Sequence, residues 1–139
     1  MVIVDADILI EVLRKNPVAV SFLKNDIGAF NIVLSAVTVA EIQQGATNKE
    51  NLQQINRFLK QYIVLPIEYH ISNIFSNLIQ KYVLSHDTDI GDTFVAATSL
   101  YYQLPLLTIN HKHYKHIPNL QLIKHEIRPL RGGSSFSLY

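Results

Sequence analysis

The sequence predicts an α/β fold: three layers, α/β/α, around a central, mostly parallel five-stranded sheet. Two observations predict it. Five short apolar runs have the length of fully buried strands, and longer segments with helical periodicity lie between them. Strands that alternate with helices in this way form βα units, in which helices cover both faces of a parallel sheet.

The strands are predicted from short runs rich in Val, Ile and Leu, which suit the buried positions of a parallel sheet. Each run has the length of a strand and too few residues for an ordinary helix. The five runs lie at 2–4, 32–34, 63–65, 106–109 and 120–123.

Six helices are predicted from the density and spacing of apolar residues between the strands. The first ends near Asn16-Pro17, because proline disfavours helical backbone in the residue before it, and Gly45 is the predicted C-cap of the third. The six helices span 8–13, 18–23, 38–45, 49–62, 69–84 and 89–102.

The length of 139 residues fits one domain with a single core. We predict that it spans 1–125, followed by a C-terminal tail over 126–139 whose segment 132–135, Gly-Gly-Ser-Ser, is typical of a mobile region. The absence of Cys excludes a disulfide framework, a thiolate zinc site and a cysteine nucleophile. With no signal peptide and no apolar run of about 20 residues, we expect a soluble, cytoplasmic protein with no membrane partner.

Four oxygen-bearing side chains are predicted to meet at one edge of the sheet. Asp5 and Asn110 each follow an apolar strand. Glu41 lies one helical turn beyond the second strand, and Asp92 opens the helix before the fourth. Groups past the carboxyl ends of parallel strands converge on one crevice, and Mg²⁺ and Mn²⁺ prefer oxygen ligands and phosphate substrates. The predicted chemistry is metal-assisted hydrolysis of a phosphodiester bond by an activated water.

Each of these acids except one also has a structural interpretation, which the residues alone leave open. Glu41 fits the last position of a Thr-x-x-Glu capping box, where it would bond to a free backbone N–H. Asp89 fits an N-cap, with Asp92 in the first helical turn where its charge suits the helix dipole. Asp7 is the predicted N-cap of the first helix. Only Asp5, an ionisable group at the end of a buried strand, needs a partner or a cation.

Four segments in order resemble the sequence blocks of the PIN-domain family. They are Val-Asp-Ala-Asp-Ile-Leu-Ile at 4–10, Ser-Ala-Val-Thr-Val-Ala-Glu-Ile at 35–42, Ile-Gly-Asp-Thr-Phe-Val-Ala-Ala-Thr at 90–98 and Leu-Leu-Thr-Ile-Asn-His-Lys-His-Tyr at 106–114. Their order and spacing are similar to those of VapC-type toxins of bacterial and archaeal toxin–antitoxin pairs.

By this resemblance, Asp5, Glu41 and Asp92 match the metal-binding acids of the family, and its fourth catalytic position falls on Asn110. The implied activity is that of a Mg²⁺- or Mn²⁺-dependent RNA endonuclease, which inhibits translation until a cognate antitoxin protein binds. The implied assembly is a homodimer that receives the antitoxin in a groove.

Asn110 departs from the family, which usually has Asp at this position. Its oxygen is neutral, so the matched positions hold three formal negative charges and a second metal is expected to bind less tightly. We hypothesise that Asn110 orients a metal-bound water and does not anchor the metal. Asp89, Asp7 and His113 are auxiliary candidates: Asp89 would supply the missing charge, and His113 a donor or a ligand.

Two other functions are left open by the residues. A phosphotransferase of the haloacid-dehalogenase type is suggested by Asp5 and Asp7 after a strand, although Leu9 stands where that family has Thr or Val. A catalytically weak module that keeps the fold to bind RNA or a protein is suggested by Asn110. The three retained acids disfavour it, because buried like charges repel one another.

The segment 105–139 holds five Lys and Arg against one acid, a balance that favours contact with an RNA backbone. His113 and His116 have a spacing that superficially suggests zinc, but without Cys or a helical H-E-x-x-H pattern a surface or phosphate contact is favoured. For Tyr114, stacking on an unpaired base and packing in the core are both open.

Overall fold

The computed structural model describes residues 1–130, and its centre is a sheet of four strands in the order β3-β2-β1-β4. The strands are β1 Val2–Val4, β2 Ile32–Ser35, β3 Ile63–Leu65 and β4 Leu106–Leu107. Every neighbouring pair is parallel. The carboxyl ends of all four strands therefore lie along one edge of the sheet.

The central strand β1 determines which residues meet at this edge. Ile3 pairs with Val33 of β2 on one side and with Leu106 of β4 on the other. Asp5 N donates to Leu107 O at 2.9 Å, which continues the ladder one residue beyond β1. Residues that directly follow β1 and β4 are therefore neighbours, although about a hundred residues separate them in sequence.

Six α-helices cover the sheet in the described part of the chain, and five of them begin at a residue whose side chain caps the first turn. They are α1 Ala6–Leu13, α2 Pro17–Ser21, α3 Ala36–Gln44, α4 Lys49–Leu59, α5 Tyr69–Tyr82 and α6 Ile90–Tyr102. The Ser35 hydroxyl accepts a hydrogen bond from Val37 N at 3.1 Å, so α3 begins two residues earlier than predicted. The predicted second helix is α2 together with a π-helical turn over Phe22–Ile27. Within the part of the chain that the structure describes, no helix combines the length and the apolar character needed to cross a bilayer.

The two faces of the sheet carry separate hydrophobic clusters, because side chains alternate along a strand. Val4 and Leu107 belong to a cluster with residues of α1, α3 and α4. Ile3 and Leu106 belong to a second cluster, with residues of α5 and α6. Helices thus cover both faces, which confirms the predicted α/β/α layers and parallel sheet.

The sheet of the described residues has four strands where five were predicted. The predicted fifth strand pairs with β4 only through the Leu106–Leu122 bridge. There Leu106 N donates to Gln121 O at 2.8 Å, and Ile123 N donates to Leu106 O at 3.0 Å. β4 is only two residues long, and beyond it the Thr108 carbonyl contacts the side chain of His125 (Nε2, 2.6 Å) in place of a backbone N–H of the neighbouring segment.

The predicted tail is anchored to α1 as far as the structure describes it. Ile127 is buried, and Leu130 N donates to Glu11 Oε1 at 2.9 Å. The same Glu11 oxygen accepts from Asn16 Nδ2 at 3.0 Å. The rest of the predicted tail, 131–139, lies outside the described residues.

We expect Glu11→Ala to lower the free energy of unfolding by about 2–4 kcal/mol, because the Leu130 N–H loses its acceptor and the buried Asn16 amide loses one of its two. The 2.9 Å ion pair with Arg14 is lost as well. Urea unfolding measures the change. Glu126, in the predicted tail, is exposed and provides the control. Glu126→Ala is expected to lower the free energy of unfolding by less than about 0.5 kcal/mol. Equal losses in the two variants would contradict the anchoring role of Glu11.

Candidate active site

Asp5 lies at the edge of the sheet directly after β1 and is only 3% exposed. Its backbone is extended and its Oδ1 accepts from Ala6 N at 2.8 Å, so Asp5 is the N-cap of α1. Its Oδ2 accepts from two hydroxyls, those of Thr108 and Tyr114, each at 2.8 Å. The interpretation that made Asp7 the N-cap and left Asp5 without a structural role is wrong, because α1 begins directly after Asp5.

Asp7, in the first turn of α1, lies beside Asp5. Its Oδ2 accepts from Ile109 N at 3.1 Å and lies 3.1 Å from Thr108 Oγ1. The Thr108 hydroxyl has one proton, so it bonds to one of the two acids at a time. Asp7 Oδ1 is buried and has no hydrogen-bond partner among the described residues. Such an oxygen is available to a donor or a cation.

Asp92 reaches the cluster from the first turn of α6. Its Oδ2 lies 2.6 Å from Nδ1 of His113, a short, charge-assisted contact. Asp89 is the N-cap of α6, and its Oδ1 accepts from Asp92 N at 2.9 Å. The N-cap interpretation of Asp89 is confirmed, so one oxygen of this auxiliary candidate is used by the helix.

Asn110 is connected to the acids through His113. Its side-chain amide lies 3.3 Å from His113 Nδ1, the atom that contacts Asp92. Its backbone N donates to Thr108 Oγ1 at 3.1 Å. The auxiliary candidate His113 thus lies between Asn110 and Asp92.

Glu41 lies in α3, which packs against α6. Its Oε1 lies directly over Gly91, so close that a Cβ at this position would overlap it. Glu41 is the sixth residue of α3 and is too far along the helix to cap its first turn. The capping-box interpretation is therefore wrong, and the packing of two helices brings Glu41 to Asp92.

Burial and mutual repulsion raise the pKa values of three of these acids. Burial, followed by the charges of Asp7 and Asp92, raises the pKa of Asp5 to about 8. Burial also raises the pKa of Asp7. For Glu41, partial burial of the carboxyl and then the neighbouring acids, Asp92 first, raise the pKa to about 7. Asp5, which caps α1, and one acid each from α1, α3 and α6 are therefore close enough to act on one another.

This donor set fits a hard divalent cation in charge and in ligand type. The free oxygen of Asp7 and the contact of Glu41 with the bare backbone at Gly91 support that fit. Among residues 1–130, however, no three His, Asp or Glu side chains are already arranged as ligands of one metal.

Two residues that hold Asp5, Thr108 and Tyr114, were not predicted as site residues. Thr108 had a signal in the sequence, since it is the one polar residue within the predicted strand 106–109. Tyr114 is only 1% exposed, so stacking on an RNA base is excluded and the core-packing interpretation is confirmed. Its bond to Asp5 had no signal, because it joins residues 109 positions apart.

The chain matches the model of the PIN domain family over residues 2–119. This range contains all four acids and the residues that hold them. No curated protein is similar enough in sequence to count as a match.

Solved structures with a similar fold cover nearly the whole chain. A chain of a toxin–antitoxin complex from Klebsiella pneumoniae is 25% identical, with a TM-score of 0.72 over 91% of this chain and 100% of that one. VapBC2 from Rickettsia felis, bound to a promoter DNA fragment, is 22% identical, with a TM-score of 0.78 over 88% and 98%. FitAcB from Neisseria gonorrhoeae is 21% identical, with a TM-score of 0.74 over 89% and 97%. For the Rickettsia and Neisseria structures, the similarity is one of fold.

Proposed function

This chain belongs to the PIN domain family, and from that premise we propose that it is a VapC-type toxin, a metal-dependent endoribonuclease. PIN domains of such toxins are generally nucleases. The observation that carries the proposal is the cluster of Asp5, Asp7, Glu41 and Asp92, whose charges lie close together at the carboxyl edge of the sheet. Like charges held close together around the buried Asp5 are costly to a fold, so their presence supports a role that needs a cation.

Asp5, Glu41 and Asp92 would hold Mg²⁺ or Mn²⁺. When bound, the metal activates a water and stabilises the charge that gathers on the phosphate. The chain itself holds two of these acids in place: Thr108 donates to Asp5, and His113 contacts Asp92. Such outer contacts orient ligand side chains before a metal or substrate arrives.

We propose that Asn110 orients a water and is not itself a metal ligand. Its neutral side chain lies beside His113, and among the described residues it has no hydrogen bond to an acid. A metal-bound crystal structure with the Asn110 oxygen about 2.1 Å from Mg²⁺ would contradict this assignment.

The phosphotransferase alternative gains no support from the geometry. Its nucleophile would be Asp5, whose side chain is buried and whose two oxygens already accept three hydrogen bonds. A carboxylate in these surroundings is poorly exposed to a phosphate ester, whereas a buried acid is common around metal ions.

We further propose an RNA substrate, a cognate antitoxin protein, a homodimer and a cytoplasmic location. The antitoxin is supported by the Klebsiella relative, which was solved as a toxin–antitoxin complex. Association is supported by large apolar side chains on the surface, among them Phe30, Ile63 and Leu84. The basic balance of the last quarter of the chain supports the RNA.

The proposal predicts that the purified protein cleaves RNA with Mn²⁺ or Mg²⁺ and that EDTA reduces the rate to background, because the acids alone supply no Lewis acid. Denaturing gels of a labelled RNA measure the rate, and Mn²⁺ added back after EDTA is expected to restore it. Cleavage that persists in EDTA would count against the metal.

Growth of cells that express the chain tests the proposed toxin role. Expression of this chain alone is expected to slow growth, and co-expression with a small protein encoded upstream is expected to restore it. Unaffected growth would count against the toxin role. The nuclease activity would then be tested by the RNA cleavage assay alone.

A further inference from the structure

Tyr114 is the largest fully buried side chain of the described residues. Its ring belongs to the hydrophobic cluster under α5 and α6, with Ile3 and Val95 among its members. A tyrosine in such a core needs a partner for its hydroxyl, because an unsatisfied polar group costs free energy there. The partner is Asp5, whose Oδ2 accepts the hydroxyl at 2.8 Å.

The hydrogen bonds of Asp5 leave little of its carboxylate free. Oδ2 accepts from the hydroxyls of Tyr114 and Thr108, and Oδ1 accepts from Ala6 N. Each carboxylate oxygen has about two lone-pair sites, so both sites of Oδ2 are used and one remains on Oδ1. Asp5 can therefore offer a cation one oxygen without breaking a bond to the chain.

We propose that Tyr114 is a positioning residue that holds Oδ2 of Asp5 through its hydroxyl and leaves Oδ1 as a single-oxygen metal ligand. The inference rests on the proposed function. Thr108 cannot replace Tyr114, because its hydroxyl has one proton, and Asp7 Oδ2, 3.1 Å from Thr108 Oγ1, is a second acceptor for that proton. Tyr114 has no second acceptor among the described contacts, and the packed core fixes the place of its hydroxyl.

The other contacts of Asp5 explain why it needs this donor. Without the Tyr114 hydroxyl, Oδ2 keeps only the bond from Thr108 among the described residues, and the single proton of Thr108 can also go to Asp7. Ala6 N, on Oδ1, is then the one remaining donor of the described chain that Asp5 does not share. Removal of the Tyr114 hydroxyl therefore loosens the carboxylate and weakens metal binding, without removing any group that contacts the metal or the RNA.

The test compares Tyr114→Phe with Tyr82→Phe in the full-length chain. Tyr82 is a matched control, since it is buried in the same cluster and its hydroxyl donates to a backbone carbonyl, that of His116, at 3.4 Å. Mn²⁺ alone is titrated, and free Mn²⁺ is followed by electron paramagnetic resonance. We expect Tyr114→Phe to weaken Mn²⁺ binding about tenfold, as removal of outer contacts to ligands commonly does, and Tyr82→Phe to change it by less than about twofold.

Cleavage kinetics provide a second readout. The Mn²⁺ concentration for half-maximal cleavage should rise by the same factor in Tyr114→Phe, with the maximal rate within about twofold of the wild type. If Tyr114→Phe does not fold, a Mn²⁺-bound crystal structure of the wild type decides the inference: Asp5 should bind the metal through Oδ1 alone while Oδ2 still accepts from Tyr114, and a metal bound by Oδ2 would contradict it.

Several outcomes overturn the inference. Equal Mn²⁺ affinity in Tyr114→Phe and the wild type, with a lower melting temperature alone, would mean that Tyr114 only fills the core. A wild-type chain that binds no Mn²⁺ would overturn it too. A chain that binds Mn²⁺ tightly but does not cleave RNA would overturn the proposed function, while the Mn²⁺ titration would still decide the role of Tyr114.

Discussion

Asp92→Asn is expected to reduce metal-dependent RNA cleavage by about a thousandfold, which corresponds to the several kcal/mol of charge stabilisation that a bound metal supplies. Asn has the size of Asp and keeps one side-chain oxygen for the contact with His113. The change removes a negative charge that acts on both Asp5 and Glu41. The rate of cleavage of a labelled RNA at fixed Mn²⁺ measures the effect.

The same substitution should leave the metal-free fold at least as stable as the wild type, because it relieves repulsion with Asp5 and Glu41. Mn²⁺ is expected to raise the melting temperature of the wild type and to have little effect on Asp92→Asn. Asp5→Asn is the comparison: it should also lose cleavage but destabilise the fold, since an amide nitrogen cannot accept from the hydroxyls of Thr108 or Tyr114. Equal, trace cleavage by the wild type, Asp92→Asn and Asp5→Asn would contradict the proposed enzyme activity.

Gly91→Ala is expected to lower cleavage by about 10- to 100-fold without a loss of stability, because a small displacement of a catalytic group can cost two orders of magnitude in rate. The new Cβ would overlap Oε1 of Glu41 and press on Asp89 Oδ1 at 3.3 Å, so Glu41 must move away. The helix itself gains from the change, since Ala is better than Gly by up to about 1 kcal/mol in a helix interior and by less in the first turn, where Gly91 lies.

Cleavage rates and urea unfolding separate these two effects. Gly45→Ala is the matched control, because Gly45 ends α3 with an ordinary φ of −76°, and its rate should stay within about twofold of the wild type. In a Glu41→Gln background, Gly91→Ala should add little, since the displaced group has already lost its charge. Full activity in Gly91→Ala alone would show that the position of Glu41 is unimportant.

The sequence predicted the positions of the elements well and the starts of the helices less well. Apolar periodicity is a local property, so β1 and β3 have the predicted bounds, and α4 and α6 begin within a residue of theirs. A helix start depends on one capping residue, and there the prediction missed by about two residues for α1 and α3. Because of these small shifts, Asp7 and Glu41 do not have the capping roles that the sequence predicted for them.

By itself, the sequence determined the α/β class, the parallel strands and the identity of Asp5, Glu41 and Asp92 as acids that belong at one edge. Only the tertiary structure decided which group holds each acid. The strand order places β4 beside β1, so the turn after β4 supplies Tyr114 to Asp5 and His113 to Asp92. A sequence pattern reports what neighbours along the chain require, whereas these donors are neighbours only in space. The same spatial order turns single acids with separate structural roles into one group whose charges repel.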